Sequence, residues 1–377
     1  MVRCGVVIVW ALGLVLIAVV RGGYLSTSKR WGFKEEPFFP LWRPKDKGEA
    51  VRATRARSID GLLGRVLGRR ILGLVDYEPQ GEPLQFRFPP EFTRRRSDFD
   101  GHWTLVKVGS GGYGTVYACY SLERRFALKV PLGFEAWVET LSKGLTLPEL
   151  KIEEEVERAF ANEVVCLYVL DHPHVLKLVA HHVDRRSCFL VYEYATHGSL
   201  KYQLEKGTLK AVNDVLVLAV QLADALRYLH AHGIVHGDVK PSNILFVDGV
   251  AKLSDFSTAR KALELASGRG MSRGTPGWRA PEQVDEELES VAVKRGYQSK
   301  VDVYQLGNLL LYTLTGEKVD GEEVLRDESA VDRVLAKLKG SALAGLVKKM
   351  LRKEPWERPS LEVVINEFAN LLNTIKT

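Results

Sequence analysis

The stretch WTLVKVGSGGYGTVYACY, residues 103–120, constrains the fold more than any other part of the chain. Gly109, Gly111, Gly112 and Gly114 crowd between two runs of β-branched and aromatic residues, and such runs favour strands. Dinucleotide folds use a similar glycine pattern, but there it leads from a strand into a helix. Here it leads into TVYACY, so the segment reads as strand, glycine turn, strand. In such a hairpin Gly109, Ser110, Gly111, Gly112, Tyr113 and Gly114 let backbone N–H groups approach phosphate oxygens. RFALKVP adds a further strand. A strand lysine is usually solvated, yet Lys129 alternates with apolar neighbours, and behind a glycine hairpin it can reach the α and β phosphates of a nucleotide.

Beyond the strands the periodicity changes. EVERAFANEVVCLYVLDHPHVLKL reads as an amphipathic helix followed by a strand, with Glu163 inside the helix and Glu153–Glu157 on its solvated surface. CFLVYEYATHGSL is a strand running into a polar glycine segment, and NDVLVLAVQLADALRYLHAHG is a long apolar helix that Asn213 can cap. Two short strand-flanked loops follow, HGDVKPSNILF and AKLSDFSTAR, and they hold Asp238, Lys240, Asn243 and Asp255. Oxygen ligands on separate loops suit Mg²⁺ when it also keeps waters and phosphate oxygens. One aspartate is mundane; this set, in this order, behind a glycine hairpin and a strand lysine, is specific.

From residue 98 to the end the chain resembles a eukaryotic-type protein kinase, with at least six motifs in order. The resemblance implies an α+β, two-lobed protein-kinase fold over 98–377, with a small β-rich N-lobe and a large helical C-lobe. It implies ATP and Mg²⁺ as cofactors and a protein substrate. Lys129 is then the phosphate-gripping lysine and Glu163 its helix partner; Asp238 orients and deprotonates the acceptor hydroxyl, Lys240 neutralises the transferring phosphoryl, and Asn243 and Asp255 hold Mg²⁺. Val116, Ala127 and Leu245 sandwich adenine, the backbones of Glu193 and Ala195 hydrogen-bond it, and Tyr192 guards the back of the pocket. Leu167, Leu178, His236 and Phe256 fall where a kinase stacks its regulatory spine, Glu282 is expected to pair with Arg358, and Asp302 braces the catalytic loop. Lys240 and the run GTPGW resemble serine/threonine kinases, with Thr275 near Asp238 and Lys240.

Three departures stand out. Gly237 occupies the place of the arginine that holds a phosphorylated activation segment, so a phosphate on Ser267, Ser272 or Thr275 finds no guanidinium on this loop; Arg269 and Arg273 are the local substitutes. Ser257 stands where DFG has glycine, which disfavours positive φ and makes the segment harder to flip. Residues 131–155 read as an insertion or an extended helix lead-in. A nucleotide-binding pseudokinase scaffold is the alternative reading; its mark is a lost catalytic group, and none is lost.

The extension differs from the domain. Residues 1–96 hold 18 Lys and Arg against 9 Asp and Glu, whereas the whole chain holds 53 against 47, so the basic excess lies in the extension. The expected partners are ATP and a protein substrate, with no nucleic acid. Residues 5–20 are uncharged and apolar, a length between that of a signal-peptide core and a membrane span, so residues 1–23 read as a signal peptide or a membrane anchor. Residues 24–97 are a basic linker with an amphipathic helix expected over 58–75, either docking on the domain or lying on a membrane surface. Four cysteines (Cys4, Cys119, Cys166, Cys188) show no metal spacing. The combination with HGD resembles secreted rhoptry-type kinases of apicomplexan parasites, and implies the secretory pathway, a rhoptry-like secreted organelle or a membrane; a type II membrane kinase of that pathway is the runner-up.

Overall fold

Alternation of apolar and polar residues along the strand segments and a 3.6-residue period in the rest divide the chain into a sheet-built lobe and a helical one. A computed structural model describes residues 63–88, 90–122, 124–134, 152–183, 188–261, 264–265, 270–338 and 342–374, and the backbone of 7–11 and 14–18. The last two segments, β1 (Val7–Ala11) and β2 (Leu14–Ala18), pair antiparallel within the apolar run. Among the described residues no helix is long and apolar enough to cross a membrane.

The N-lobe is one antiparallel sheet in the order β3-β4-β5-β6-β8-β7: β3 (Leu84–Phe86), β4 (Trp103–Ser110), β5 (Gly114–Tyr120), β6 (Arg125–Pro131), β8 (Cys188–Glu193) and β7 (Leu178–Val183). Its buried face is aromatic. Phe88, Phe92, Phe99, Trp103 and Phe189 pack with several centroid separations between 4.9 and 5.8 Å, close enough for edge-on ring contacts. Phe86, Phe88 and Phe92 come from the segment expected to be linker, and β3 extends the sheet beside β4, so the lobe takes in residues well before 98. Helix α1 (Glu154–Tyr168) packs on the sheet through Ala159, Phe160, Glu163, Cys166 and Leu167, one face at helical spacing.

In the C-lobe, α3 (Val212–Ala231) is buried along almost its whole length, and it packs against α4 (Lys300–Thr315) and α5 (Leu361–Thr374). Between the lobes runs the linker after β8, which leads into α2 (Leu200–Glu205), capped by the Ser199 hydroxyl accepting from the Tyr202 N–H. After the short strand β9 (Ile234–Val235), the hairpin β10 (Ile244–Val247) and β11 (Val250–Leu253) closes the floor of the cleft.

Of the helix expected over 58–75, residues 58–62 lie outside the described residues, and the part from Gly68 onward is corrected. Residues 63–67 are helical; from Gly68 onward the backbone leaves the helix, and its polar groups bond to the domain instead. Gln221 Nε2 donates to the Arg69 carbonyl (2.7 Å), Ile71 N–H to the Gly249 carbonyl (2.8 Å) and Val75 N–H to Gln203 Oε1 (3.0 Å). Glycines at 68 and 73 would cost about 1 kcal/mol each as helix residues, so tertiary bonds win. Val66 and Ile71 are buried in the C-lobe core, while Leu72 is 74% exposed, so only part of the apolar stripe is used by the domain. The arm then crosses to the linker between lobes. Tyr77 donates its N–H to the Thr196 carbonyl (2.9 Å) and its hydroxyl to the Val108 carbonyl (3.4 Å) on β4, and its ring meets Tyr202 edge-on at 5.0 Å. Gly198, at φ 66°, leaves room for this ring, because a Cβ there would stand 3.0 Å from it. The arm therefore touches both lobes across their linker.

If the arm is an integral part of the fold, Ile71→Ala lowers the unfolding free energy by about 2–5 kcal/mol, the range for emptying a buried aliphatic site. Leu72→Ala changes it by less than about 0.5 kcal/mol. Urea denaturation of the two variants measures the difference, and equal midpoints would show the arm to be loosely attached.

Candidate functional site

The glycine hairpin and the strand lysine form one wall. Gly111 N–H bonds back to the Gly114 carbonyl (2.8 Å), and the hydroxyls of Ser110 and Thr115 meet at 3.1 Å, which folds the tip onto itself. Gly114 tolerates no side chain, since a Cβ would lie 2.3 Å from the Val130 carbonyl oxygen; at Gly109 and Gly112 a Cβ would meet nothing. Those two open positions leave the hairpin backbone accessible from the cleft. Lys129 faces Val116 across the β5–β6 ladder.

Lys129 Nζ lies 2.7 Å from Glu163 Oε2 and 3.0 Å from Asp255 Oδ1. Burial alone would push its ammonium down, but the two carboxylates outweigh this and hold its pKa well above the usual lysine range. Glu163, 1% exposed, is also held on its other oxygen: the Tyr192 hydroxyl donates at 2.6 Å and the Phe256 N–H at 3.3 Å. Burial and the adjacent carboxylate push the Tyr192 hydroxyl up, so it remains a donor. Sequence reasoning cast Tyr192 as a bulky guard and missed this bond. The signal was the hydroxyl itself, a polar tip in the otherwise apolar run CFLVY.

The opposite wall is the segment HGDVKPSN, residues 236–243. Asp302, fully buried on α4, accepts from the N–H groups of Gly237 (2.7 Å) and His236 (3.0 Å) and from His230 Nε2 (2.7 Å). Burial raises its carboxyl pKa, yet these donors outweigh burial and hold it below the usual carboxylate range. His236 accepts from the Asp238 N–H on Nδ1 and donates from Nε2 to the Ser254 carbonyl, which sets one neutral tautomer. Its ring stacks edge-on with Phe256 at 5.1 Å, and Leu167 and Leu178 flank the same core.

Asp238 is 5% exposed and is held unevenly. Oδ2 accepts from Lys240 Nζ at 2.6 Å, and Asn243 Nδ2 donates to the Asp238 carbonyl at 2.9 Å. Oδ1 is buried and has no hydrogen-bond partner among the described residues. A buried carboxylate oxygen without a donor is costly. A hydroxyl brought into the cleft would satisfy it. Lys240 Nζ also donates to Thr275 Oγ1 at 2.5 Å, so catalytic loop and activation segment share one ammonium.

Asp255 takes the left-handed conformation, φ 63°, rare for a residue other than glycine. Ser257, which follows two residues later, does not have positive φ, and its hydroxyl donates to Asp255 Oδ1 at 2.7 Å. Its expected stiffening effect therefore has a second component, a bond that sequence reading did not foresee. Burial works against ionisation of Asp255, but Lys129 and the Ser257 hydroxyl outweigh it and hold the carboxyl well below its usual range. Its side chain is 40% exposed to the cleft. Ser254 N–H and Oγ both donate to the Asn243 carbonyl at 2.9 Å, tying the two loops together.

Val116, Ala127 and Leu245 are half-buried above and below the cleft, and Glu193 and Ala195 begin the linker behind it. The Glu193 carboxylate turns away, accepting from the Lys177 N–H and pairing with Lys252, each at 2.8 Å. This leaves the backbone of that edge as its recognition element. The donor set fits Mg²⁺ and a nucleotide: a glycine cradle, one ammonium, a partly exposed carboxylate at Asp255 and the Asn243 amide nearby. Among the described residues no cluster of three or more His, Cys, Asp or Glu could hold a metal alone, so phosphate oxygens and water would have to supply the remaining ligands.

Below the cleft, Arg358 and Glu282 form a fully buried two-pronged pair at 2.5 and 2.7 Å, as the sequence suggested. Arg273 pairs at the surface with Glu286; Arg269 and Ser267, like the central part of the expected insertion, lie outside the described residues.

Comparison with known proteins agrees with this geometry. The family model described as Protein kinase domain matches residues 103–368. The chain is 26% identical over 267 residues to Aurora kinase B of Mus musculus, covering 69% of this chain and 71% of that one. It is 30% identical over 264 residues to an Aurora kinase of Schizosaccharomyces pombe, covering 68% of each. To the serine/threonine-protein kinase BCK1/SLK1/SSP31 of Saccharomyces cerevisiae it is 30% identical over 217 residues, which is 56% of this chain and 13% of that protein.

Removing the hydroxyl that holds Glu163 should be costly. Tyr192→Phe is expected to lower the unfolding free energy by about 1.5–3 kcal/mol, the worth of a hydrogen bond to a charged group. It should also weaken nucleotide binding, measured by titration, because Lys129 depends on the same carboxylate. A variant with wild-type stability and affinity would remove Tyr192 from the site.

Proposed function

The chain belongs to the protein kinase family, and we propose that this serine/threonine kinase is exported or membrane-held and assembles its acceptor site without a phosphate on the activation segment. One observation carries the chemical reading: Asp238 has one oxygen bonded to Lys240 and the other buried with no hydrogen-bond partner among the described residues.

When bound, Mg²⁺-ATP supplies the phosphoryl group and the charge that offsets its transfer. Lys129, oriented by Glu163, would hold the α and β phosphates; Asp255 and Asn243 would hold the metal. Asp238 Oδ1 would accept the hydrogen bond of a serine or threonine hydroxyl, align it and take its proton. Lys240, already linked to Thr275, would balance negative charge beside the acceptor. The adenine would lie between Val116, Ala127 and Leu245, against the backbone of Glu193 and Ala195.

The regulatory part of the proposal rests on Gly237. It offers no guanidinium to a phosphate, and Arg273 is engaged with Glu286. Export rests on the apolar run at residues 5–20 and the basic extension, a combination resembling secreted rhoptry-type kinases. Contact with a membrane surface rests on residues 58–75, whose Leu72 and Val75 remain exposed after the arm has docked.

A transfer assay on the full chain, treated beforehand with phosphatase, tests the reading. Phosphatase should leave the rate unchanged, whereas Asp238→Ala should lower it about 10²–10⁴-fold, the usual contribution of a general base. Asp255→Ala should lower it too. Equal transfer by wild type and both variants would overturn the reading. Liposome flotation with and without residues 58–75 tests the membrane contact, and identical partitioning would remove it.

A further inference from the structure

Asp238 sits between two peptide groups, and one pair of glutamines grips both. Gln305 Oε1 accepts from the Val239 N–H at 2.8 Å, and Gln305 Nε2 donates to the Gly237 carbonyl at 3.0 Å. Gln283 Nε2 donates to that same carbonyl at 2.8 Å. The two amides are joined, Gln305 Nε2 donating to Gln283 Oε1 at 2.9 Å. From there the connection reaches the activation segment: Gln283 Nε2 donates to the Ser272 carbonyl (2.8 Å), and Gln283 Oε1 accepts from the Ala280 N–H (2.9 Å).

The amide orientations follow from the partners. Carbonyls at 237 and 272 require NH₂ groups, and N–H groups at 239 and 280 require oxygens. Gln283 thereby uses all four of its hydrogen-bonding positions, and both glutamines are buried, at 3% and 0% exposure. Their own positions are set by stronger anchors. Gln283 follows Glu282, which is locked to Arg358; Gln305 lies one helical turn beyond Asp302, which holds the N–H groups of His236 and Gly237. A fully satisfied buried network of this kind specifies one arrangement of the groups it joins.

The glycines complete the fit. Gly274 (φ 58°) passes so close that a Cβ would stand 2.9 Å from Gln283 Nε2, and a Cβ on Gly237 (φ 72°) would touch Ser272. A long side chain at 237 would have to extend past the strand of activation segment that Gln283 binds.

We propose that Gln283 and Gln305 are positioning residues for phosphoryl transfer, a neutral amide clamp that holds Asp238 and the activation segment in register in the unmodified chain. This deepens the proposed function and rests on it for its catalytic consequence. Because the clamp carries no net charge, it needs no phosphate and is insensitive to salt.

In the full chain, Gln283→Ala and Gln305→Ala should each lower kcat about 10–100-fold through misplacement of Asp238, with KM for ATP unchanged because the Lys129 wall is untouched. Gln283→Glu should lose activity as well and recover part of it as pH falls, since a protonated carboxyl regains one donor. A purely scaffolding role would lower the folded fraction and leave kcat per folded molecule and its pH profile unaltered, which would overturn the proposal. Amide exchange supplies the readout that needs no turnover. In Gln283→Ala the segments 237–239 and 272–280 should lose protection together; loss in one alone would also overturn it. An inactive wild-type chain would count against the proposed function, and exchange would still decide the clamp.

Discussion

A carboxylate buried where two lobes meet governs this structure. Taking Glu163 out of water costs several kcal/mol unless charge and hydrogen bonds compensate. Compensation comes from three directions: Lys129 from the sheet, the Tyr192 hydroxyl from β8, and the Phe256 N–H from the loop after β11. None can move away without exposing the others to that cost. Sheet, helix α1 and the loop holding Asp255 and Phe256 are thus aligned by one electrostatic demand, which fixes Lys129 between Glu163 and Asp255.

The same logic recurs on the acceptor side, with Asp302 and the Glu282–Arg358 pair as buried charges and the glutamines as neutral links. There Asp302 holds the N–H groups of His236 and Gly237, while the uncharged glutamines reach the peptide groups on either side of Asp238. One oxygen of Asp238 is left without a hydrogen-bond partner among the described residues. The arm adds a separate constraint. By bonding to α2, α3, the linker and β4, it makes the relative placement of the lobes depend partly on residues outside the minimal kinase motif.

Much of the site was legible because phosphate chemistry restricts residue type. Only glycine permits strand approach like that of Gly114 to Val130, and a lysine on an apolar strand or aspartates on paired loops have few structural uses together. Lys129, Asp238, Lys240 and Asp255 therefore stood out as residue types, and the resemblance to protein kinases implied the pairing of Lys129 with Glu163 and of Glu282 with Arg358. The hydroxyls of Tyr192 and Ser257 could not be assigned, since their sequence neighbours give no sign of which carboxylate they meet. The arm misled for a related reason. Its apolar residues suit a helix, but helix formation competes with backbone bonds to Gln203, Gln221 and Gly249, partners more than a hundred residues away.

By itself the sequence determined the strand and helix segments, the motif order and the chemical types of the groups in the cleft, because periodicity and residue type are local properties; the two-lobed architecture was what the resemblance to protein kinases implied. Tertiary structure alone decided which side chain each buried polar group would meet. Burial makes an unpaired donor or acceptor expensive, and the partner that relieves it is selected by proximity in space. Gln283, Gln305 and Tyr192 are ordinary residues in the sequence, and they acquire their roles from what the fold places beside them.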